Sequence, residues 1–249
     1  MTEYPVGATA TTFEIIDALA TLERAGVTQL ADRLDRSKGS VHNHLATLER
    51  LGYVVRDDGQ YRLGLQFLEL GTGVRAADAL YRVARQEIDR LANTSGETAS
   101  LVVEEAGEAV FAYRAGDSVD SEFRNGSRVP LHACAAGKAL IAHRPPDTLD
   151  AILADDLPTP TDRTIASRPA LRRELQTVRD QGLAFDRGEL TPDRRAVAAP
   201  IATDDGRPVG AVTVSSTSPR MSGKRFEEDI PGLVLSTTKD ITVERADDE

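Results

Sequence analysis

Val27-Thr28-Gln29-Leu30-Ala31-Asp32-Arg33-Leu34-Asp35-Arg36-Ser37-Lys38-Gly39-Ser40-Val41-His42-Asn43-His44-Leu45-Ala46-Thr47-Leu48-Glu49-Arg50-Leu51-Gly52-Tyr53-Val54 carries two helical phases separated by a polar turn. Leu30 and Leu34 share one helical face. Ser37 then stands where a hydroxyl can accept a bond from a free amide of the next turn, the position of an N-cap. Beyond it Val41, Leu45, Leu48 and Leu51 form an apolar stripe. At about 100° per residue the opposite face carries Gly39, Asn43, Ala46 and Arg50, with Ser40, His42 and Thr47 at its margins. A small, hydrogen-bonding face beside a capped N-terminus suits a helix that enters a DNA major groove. Lys38 and the helix N-terminus suit a backbone phosphate. His44 falls nearer the apolar stripe, so packing is its expected role. Gly52 stops the helix. Val54 to Leu63, with the turn Asp57-Asp58-Gly59, reads as a two-stranded hairpin. Helix, turn, helix and hairpin make a winged helix-turn-helix, with Arg56, Gln60 and Arg62 of the wing placed for phosphate. The competing reading of the same pattern is a helical packing unit that serves dimerisation.

Outward from this stretch, 249 residues predict two domains. Thr11 or Thr12 is the expected cap of a first helix carrying Phe13, Ile16, Leu19 and Leu22. The DNA-binding domain is set at residues 1–72, a linker helix at 73–92, and an effector-binding and oligomerisation domain at 93–249. The last part mixes strands and helices. Leu101–Glu104 with Ala109–Tyr113, and Ala196–Ile201 with Val209–Ser215, read as hairpins. Cys134–His143 and Pro169–Gln181 read as helices, and Lys224–Glu244 as a closing helix that Pro231-Gly232 interrupts. No stretch is long and apolar enough for a membrane span and no signal peptide is visible, so a cytoplasmic, non-membrane protein is expected.

The net charge is −10, and residues 1–72 hold seven Lys plus Arg against ten Asp plus Glu, a charge of −3. The usual basic footprint of a DNA binder is missing. The acid is mostly Asp, Arg far outnumbers Lys, and Trp is absent, a bias like that of a salt-accumulating halophile. In molar salt the screening length falls to about 3 Å, which removes long-range repulsion from the duplex. Counterion release weakens with it, leaving more of the binding to base edges and close contacts.

Tests for other chemistry return little. One cysteine excludes an internal disulfide and a multi-cysteine zinc site, and no cofactor is expected. The stretch around Gly137-Lys138-Ala139 lacks both the early glycine and the Ser or Thr of a phosphate loop. Gly71-Thr72-Gly73 is no dinucleotide fingerprint. His132 and Cys134, two apart on an extended segment, would point the same way, but no orienting acid accompanies them, so packing is preferred to nucleophilic catalysis. Small residues at Ala133, Ala135, Ala136 and Gly137 let a ligand approach the amides of a helix start, which favour a carboxylate. Thr213 and Ser215 share one face of their strand and are placed to line the same pocket.

Taken together and in order, Ser37-Lys38-Gly39-Ser40-Val41-His42, Leu45 to Val54, Tyr61-Arg62-Leu63-Gly64, Gly96-Glu97-Thr98, Pro130-Leu131-His132-Ala133 with Gly137-Lys138-Ala139-Leu140, and Val197-Ala198-Ala199-Pro200 resemble the IclR family of transcriptional regulators. With the composition above, the resemblance is to a haloarchaeal member. It implies an α+β chain: an N-terminal winged helix-turn-helix, a linker helix, and a C-terminal GAF-like α/β effector-binding domain. It implies a homodimer or homotetramer on a palindromic operator in double-stranded DNA, controlled by an organic, aromatic or sugar acid. DNA contacts are then expected at Ser37, Lys38, Gly39, Ser40, His42, Asn43, Thr47, Arg56 and Arg62. The resemblance places the effector against backbone at Ala135 and Ala136 and against Asp186, Ala196, Thr213 and Ser215. Ala196 stands where family members frequently have cysteine. Thr213 and Ser215 stand where two serines are common, so the hydroxyls are kept and a thiol is lost. The readings set against a ligand-controlled regulator are an enzyme of small-acid metabolism with an accessory winged-helix domain, and a ligand sensor acting through protein contacts.

Overall fold

Helical phase sets the N-terminal unit. Helix α1 (Gly7–Leu22) directs Ile15, Ala18 and Leu19 onto α2 (Val27–Leu34) and α3 (Lys38–Arg50), whose Leu30, Val41, Leu45 and Leu48 complete a closed apolar cluster. Of the expected face of α1, Ile16, Leu19 and Leu22 do pack into this cluster, but the expected cap and the place of Phe13 are corrected. The helix starts at Gly7, so Thr11 lies buried mid-helix and the Thr12 hydroxyl donates to the Ala8 carbonyl at 2.9 Å. Phe13 lies two positions, about 200°, from the buried Ile15, and is 59% exposed.

Ser37 caps α3 as read, accepting a bond from the Ser40 amide at 3.2 Å. At the other end the Gly52 amide donates to the Glu49 carbonyl (3.0 Å) and the Tyr53 amide to Leu48 (2.9 Å), the crossed pair of a Schellman stop. The chain therefore turns away before Leu51 can join the stripe, and Leu51 is 61% exposed instead of buried. Strands β1 (Val54–Asp57) and β2 (Gln60–Leu63) pair antiparallel through a turn with Asp58 and Gly59 both at positive φ, the type I′ geometry. Ala25 joins them by exchanging two backbone bonds with Tyr61, at 3.0 and 2.8 Å.

The computed structural model describes residues 4–116, 123–145, 148–149 and 157–248, with side chains of the last helix given as far as Thr242. It separates into two compact units, Met1–Ala77 and Asp78–Glu249. The single helix expected over residues 73–92 is two helices, α4 (Gln66–Ala77) and α5 (Ala79–Ser95). Asp78 is the reason. It adopts extended backbone (φ −76°, ψ 121°) and its carboxylate takes the Tyr81 amide at 2.9 Å, starting a new helix.

The second unit is built on a sheet of six strands, β3 (Thr98–Glu105), β4 (Glu108–Ala115), β5 (Arg128–Pro130), β6 (Ala184–Asp186), β7 (Arg194–Ala202) and β8 (Pro208–Thr217), in the order β5-β4-β3-β8-β7-β6 with every neighbour antiparallel. Helix α5 and the closing helix α8 (Ile230–Asp248) pack on one face, around Ala84, Ile88, Leu101, Val212, Val214 and Val234. Helices α6 (Ala135–Ile141) and α7 (Arg168–Gln181) cover the other, around Val102, Leu140, Leu171, Leu175 and Ala211. Pro231 does not interrupt α8 as expected. A π turn over Arg225–Asp229 runs into the helix, and the register changes just before Pro231, a residue with no N–H to donate.

Candidate functional site

On the N-terminal unit, α3 leaves Lys38, Gly39, His42, Asn43, Thr47 and Arg50 exposed and Ser40 half-buried, while Val41, Leu45 and Leu48 face the core. Ser37 positions this face by capping it. The Thr47 hydroxyl donates to the Asn43 carbonyl at 2.9 Å, so its methyl group points outward with the neighbouring polar side chains. His44 packs inward as expected, its Nδ1 2.8 Å from the Thr12 hydroxyl. On the wing Arg56 is exposed and lies 5.7 Å over the Tyr61 ring. Arg62 is half-buried and already gives one N–H to the Leu63 carbonyl at 3.3 Å. Two ion pairs at 3.1 Å, Arg24–Asp57 and Arg36–Glu14, neutralise acidic groups beside the wing and on α1.

In the second unit one cavity of about 480 Å³ collects Ala135, Ala136, Asp186, Ala196, Thr213 and Ser215. Strand register explains the convergence. Asp186 faces Ala196 and Ala196 faces Ser215 across β6, β7 and β8, forming one row on the sheet. In the adjacent row Arg114 faces Ser100 and Ser100 faces Thr213. Ala135 and Ala136 close the cavity from the start of α6. A Leu131–Ala133 3-10 turn brings α6 in, and Gly137 permits the approach: a Cβ there would lie 2.2 Å from the Leu131 carbonyl oxygen.

The polar groups around the cavity are specifically engaged. Asp186 accepts amides from Gly188 (2.9 Å) and Glu189 (2.6 Å), and burial pushes its carboxyl above the ordinary carboxylate range. The Thr213 hydroxyl donates to the Val197 carbonyl at 3.0 Å. Just behind, the fully buried Lys138 binds Glu189 at 2.7 Å and Glu174 at 3.1 Å, tying α6 to α7 and to the loop after β6. Cys134 and His132 do not point together as expected. The 3-10 turn sends the His132 ring to the Pro158 carbonyl, 2.8 Å away, whereas the Cys134 thiol accepts the Gly137 amide at 3.3 Å. Burial pushes that thiol up to about 12, so it stays protonated and packs. Among the described residues no three His, Cys, Asp or Glu side chains gather to hold a metal.

Sequence reasoning missed the cationic and aromatic lining: Arg114, Arg194, Arg195, Phe111 and Phe123. Arg114 was concealed by a β-bulge. Leu101 faces Tyr113 but Val102 faces Phe111, so Ala112 is an extra residue. The bulge turns Phe111 and Arg114, three apart, to the same face, which strict alternation forbids. The tandem Arg194-Arg195 at the start of β7 was the available signal.

The profile of the "IclR helix-turn-helix domain" matches residues 9–58, and that of the "Bacterial transcriptional regulator IclR C-terminal" matches residues 75–243. The chain belongs to the IclR family. Among its relatives is a probable HTH-type transcriptional regulator ArcR of Halobacterium salinarum, 35% identical over 92% of this chain and 90% of that one. The HTH-type transcriptional regulator KdgR of Escherichia coli is 30% identical over 91% of this chain and 88% of its own length. A transcriptional regulator from Rhodococcus sp. RHA1 has the same architecture, with a TM-score of 0.85 and 27% identity over 98% of this chain and 100% of that one. An IclR homologue from Microbacterium hydrocarbonoxydans, solved with 4-hydroxybenzoate, shares the fold at a TM-score of 0.80, with 22% identity over 96% and 99% of the two chains. This IclR-family chain is a DNA-binding transcriptional regulator with an effector-binding domain, and not an enzyme.

Proposed function

We propose that this regulator binds a palindromic operator as a homodimer, or as a tetramer built from such dimers, and that an organic acid in the C-terminal cavity changes its affinity for that operator. The observation that carries the DNA reading is the exposed polar face of α3, running from the Ser37 cap through Lys38, Gly39, Ser40, His42 and Asn43 to Thr47 over a fully buried apolar stripe. Side chains of this kind reach base edges in a major groove, while Arg56 and Arg62 on the wing reach the backbone. Cytoplasmic placement goes with this role. Among the described residues no helix is long and apolar enough to cross a membrane.

A second copy of the chain is the partner that α4 fits. That helix buries none of its residues, and Leu65, Leu68, Leu70 and Val74 are 79, 65, 49 and 76% exposed. Exposed apolar surface of this kind marks an interface, and a two-fold pair of reading helices matches a palindrome. The effector reading rests on the cavity itself, which pairs an apolar wall with convergent cationic and hydroxyl groups. An effector acts here through unequal affinity for two arrangements of the dimer.

The test is footprinting on the promoter beside the chain's own gene, in molar KCl. His42→Ala with Asn43→Ala is expected to abolish protection while the protein stays folded and keeps its oligomeric state. Undiminished protection by the double variant removes α3 from the groove. No protection by the unaltered chain on any promoter fragment favours instead a sensor acting through protein contacts, in line with the −3 charge of residues 1–72.

A further inference from the structure

Three guanidinium groups and one carboxylate line the C-terminal cavity among the described residues. The carboxylate, Asp186, is already held by loop amides. Arg114 is only 7% exposed, gives one N–H to the Phe123 carbonyl, and has an Nε with no partner. Arg194 has a buried Nη2 with no partner. Arg195 is more committed, bonded to the Met221 carbonyl at 2.9 Å and lying 5.3 Å over the Phe226 ring. No described carboxylate forms a salt bridge with Arg114 or Arg194. Both line the same cavity, and burial first, then the charge of Arg194, holds Arg114 below its ordinary value.

The buried guanidinium of Arg114 and the half-buried one of Arg194, with unused donors and no salt bridge to a described carboxylate, are costly when the cavity is empty. One carboxylate relieves one of them and leaves the second guanidinium unmatched. Two carboxylates relieve both and also cancel the repulsion between them. A guanidinium presents its N–H groups in a planar fork that fits a carboxylate. Phe111 and Phe123, stacked with ring centroids 5.6 Å apart, offer an apolar wall to the carbon skeleton between the two charges. The limited free space inside the lining keeps that skeleton small.

Resting on the reading of this cavity as an organic-acid site, we propose that it is built for a small dicarboxylate, with Arg114 and Arg194 as the residues that select two negative charges over one. The test compares acids matched in skeleton and differing by one carboxylate: succinate with butyrate, glutarate with pentanoate, and phthalate with benzoate. Each is titrated into the full chain by calorimetry and by thermal shift at fixed ionic strength. The diacid of at least one pair is expected to bind about tenfold or more tightly than its monoacid partner. Arg194→Gln, at a half-buried position, is expected to bring that pair to near-equal affinity, and Arg194→Lys to restore part of the difference. Binding of monoacids as tight as their diacids overturns the dicarboxylate assignment and leaves the organic-acid reading standing. A preference that survives Arg194→Gln in full removes Arg194 from the selecting role. If none of the six acids binds, both readings fall.

Discussion

At the level of single residues, Lys138 and His132 show how the second unit handles polar groups it has buried. Lys138 is fully buried between Glu189 and Glu174. Removing one member of a buried pair leaves the other charge uncompensated, at a cost of about 3–5 kcal/mol. Lys138→Ala is expected to lower the stability of the C-terminal unit by that order in denaturant unfolding, and to loosen the loop that shapes Asp186. His132 titrates in the opposite sense to a paired cation. Burial holds its ring below the ordinary value, so the folded chain keeps it neutral while the unfolded chain takes up a proton. Its contribution is therefore present above about pH 6.5 and lost as pH falls from there through the lowered folded value. A thermal-unfolding series across that window is expected to show a falling melting temperature, and His132→Gln to flatten part of the slope. His143, lowered for the same main reason, adds to the slope in the same sense, while the raised carboxyls of Asp186 and Glu189 oppose it at lower pH.

Among the elements, the junction of the 3-10 turn with α6 has the narrowest tolerance. Gly137 passes so close to Leu131 that an added Cβ would meet its carbonyl oxygen at 2.2 Å and its Cα at 2.6 Å, both backbone atoms that cannot rotate away. Gly137→Ala is expected to displace the start of α6, and with it Ala135 and Ala136 at the cavity. The measurable result is a loss of stability of about 1–3 kcal/mol, as for overpacking elsewhere, together with weakened effector binding. The opposite case is α3, whose outward face contributes nothing to the core. His42→Ala and Asn43→Ala are expected to cost DNA binding with stability unchanged within about 0.5 kcal/mol. Elements also explain the misread positions. Phe13 and Leu51 belong to apolar patterns one helical phase or one residue away from the core, and a count of apolar residues does not reveal where a Schellman turn or an early helix start places the boundary. Asp78 ends one helix and starts another because a side-chain carboxylate competed successfully for a backbone amide, a local event inside a continuous helical period.

For the molecule as a whole, the two compact units divide the work of reading DNA and holding a small molecule. The exposed leucines of α4 are the feature on which the proposed second chain rests. Leu70→Lys with Val74→Lys places two charges, four residues apart, on one face of that helix. Light scattering is expected to show a smaller assembly, and operator affinity to drop steeply because two half-sites are no longer held by one complex. An unchanged mass would remove α4 from the proposed contact. The net charge of −10 acts at this scale too. It opposes approach to the duplex at low salt, so in the proposed reading operator recognition rests on close contacts of α3 and the wing.

What the sequence by itself determined was local and periodic. The phase of Val41, Leu45 and Leu48, the Ser37 cap, the Gly52 stop, and the hairpins that became β1–β2, β3–β4 and β7–β8 all follow from spacings within a few residues of each other. Alternation likewise set Thr213 and Ser215 on one face, and motif resemblance was enough to name Asp186 and Ala196 beside them. Tertiary structure decided what stands around those positions. Pairing across β3, β8, β7 and β6 laid Asp186, Ala196 and Ser215 in one row and Arg114 with Thr213 in the next, joining residues up to a hundred positions apart. A single extra residue, Ala112, turned Arg114 inward. An arginine in a sequence reads as solvent-facing because its charge prefers water, and only the completed sheet shows that Arg114 was taken out of it.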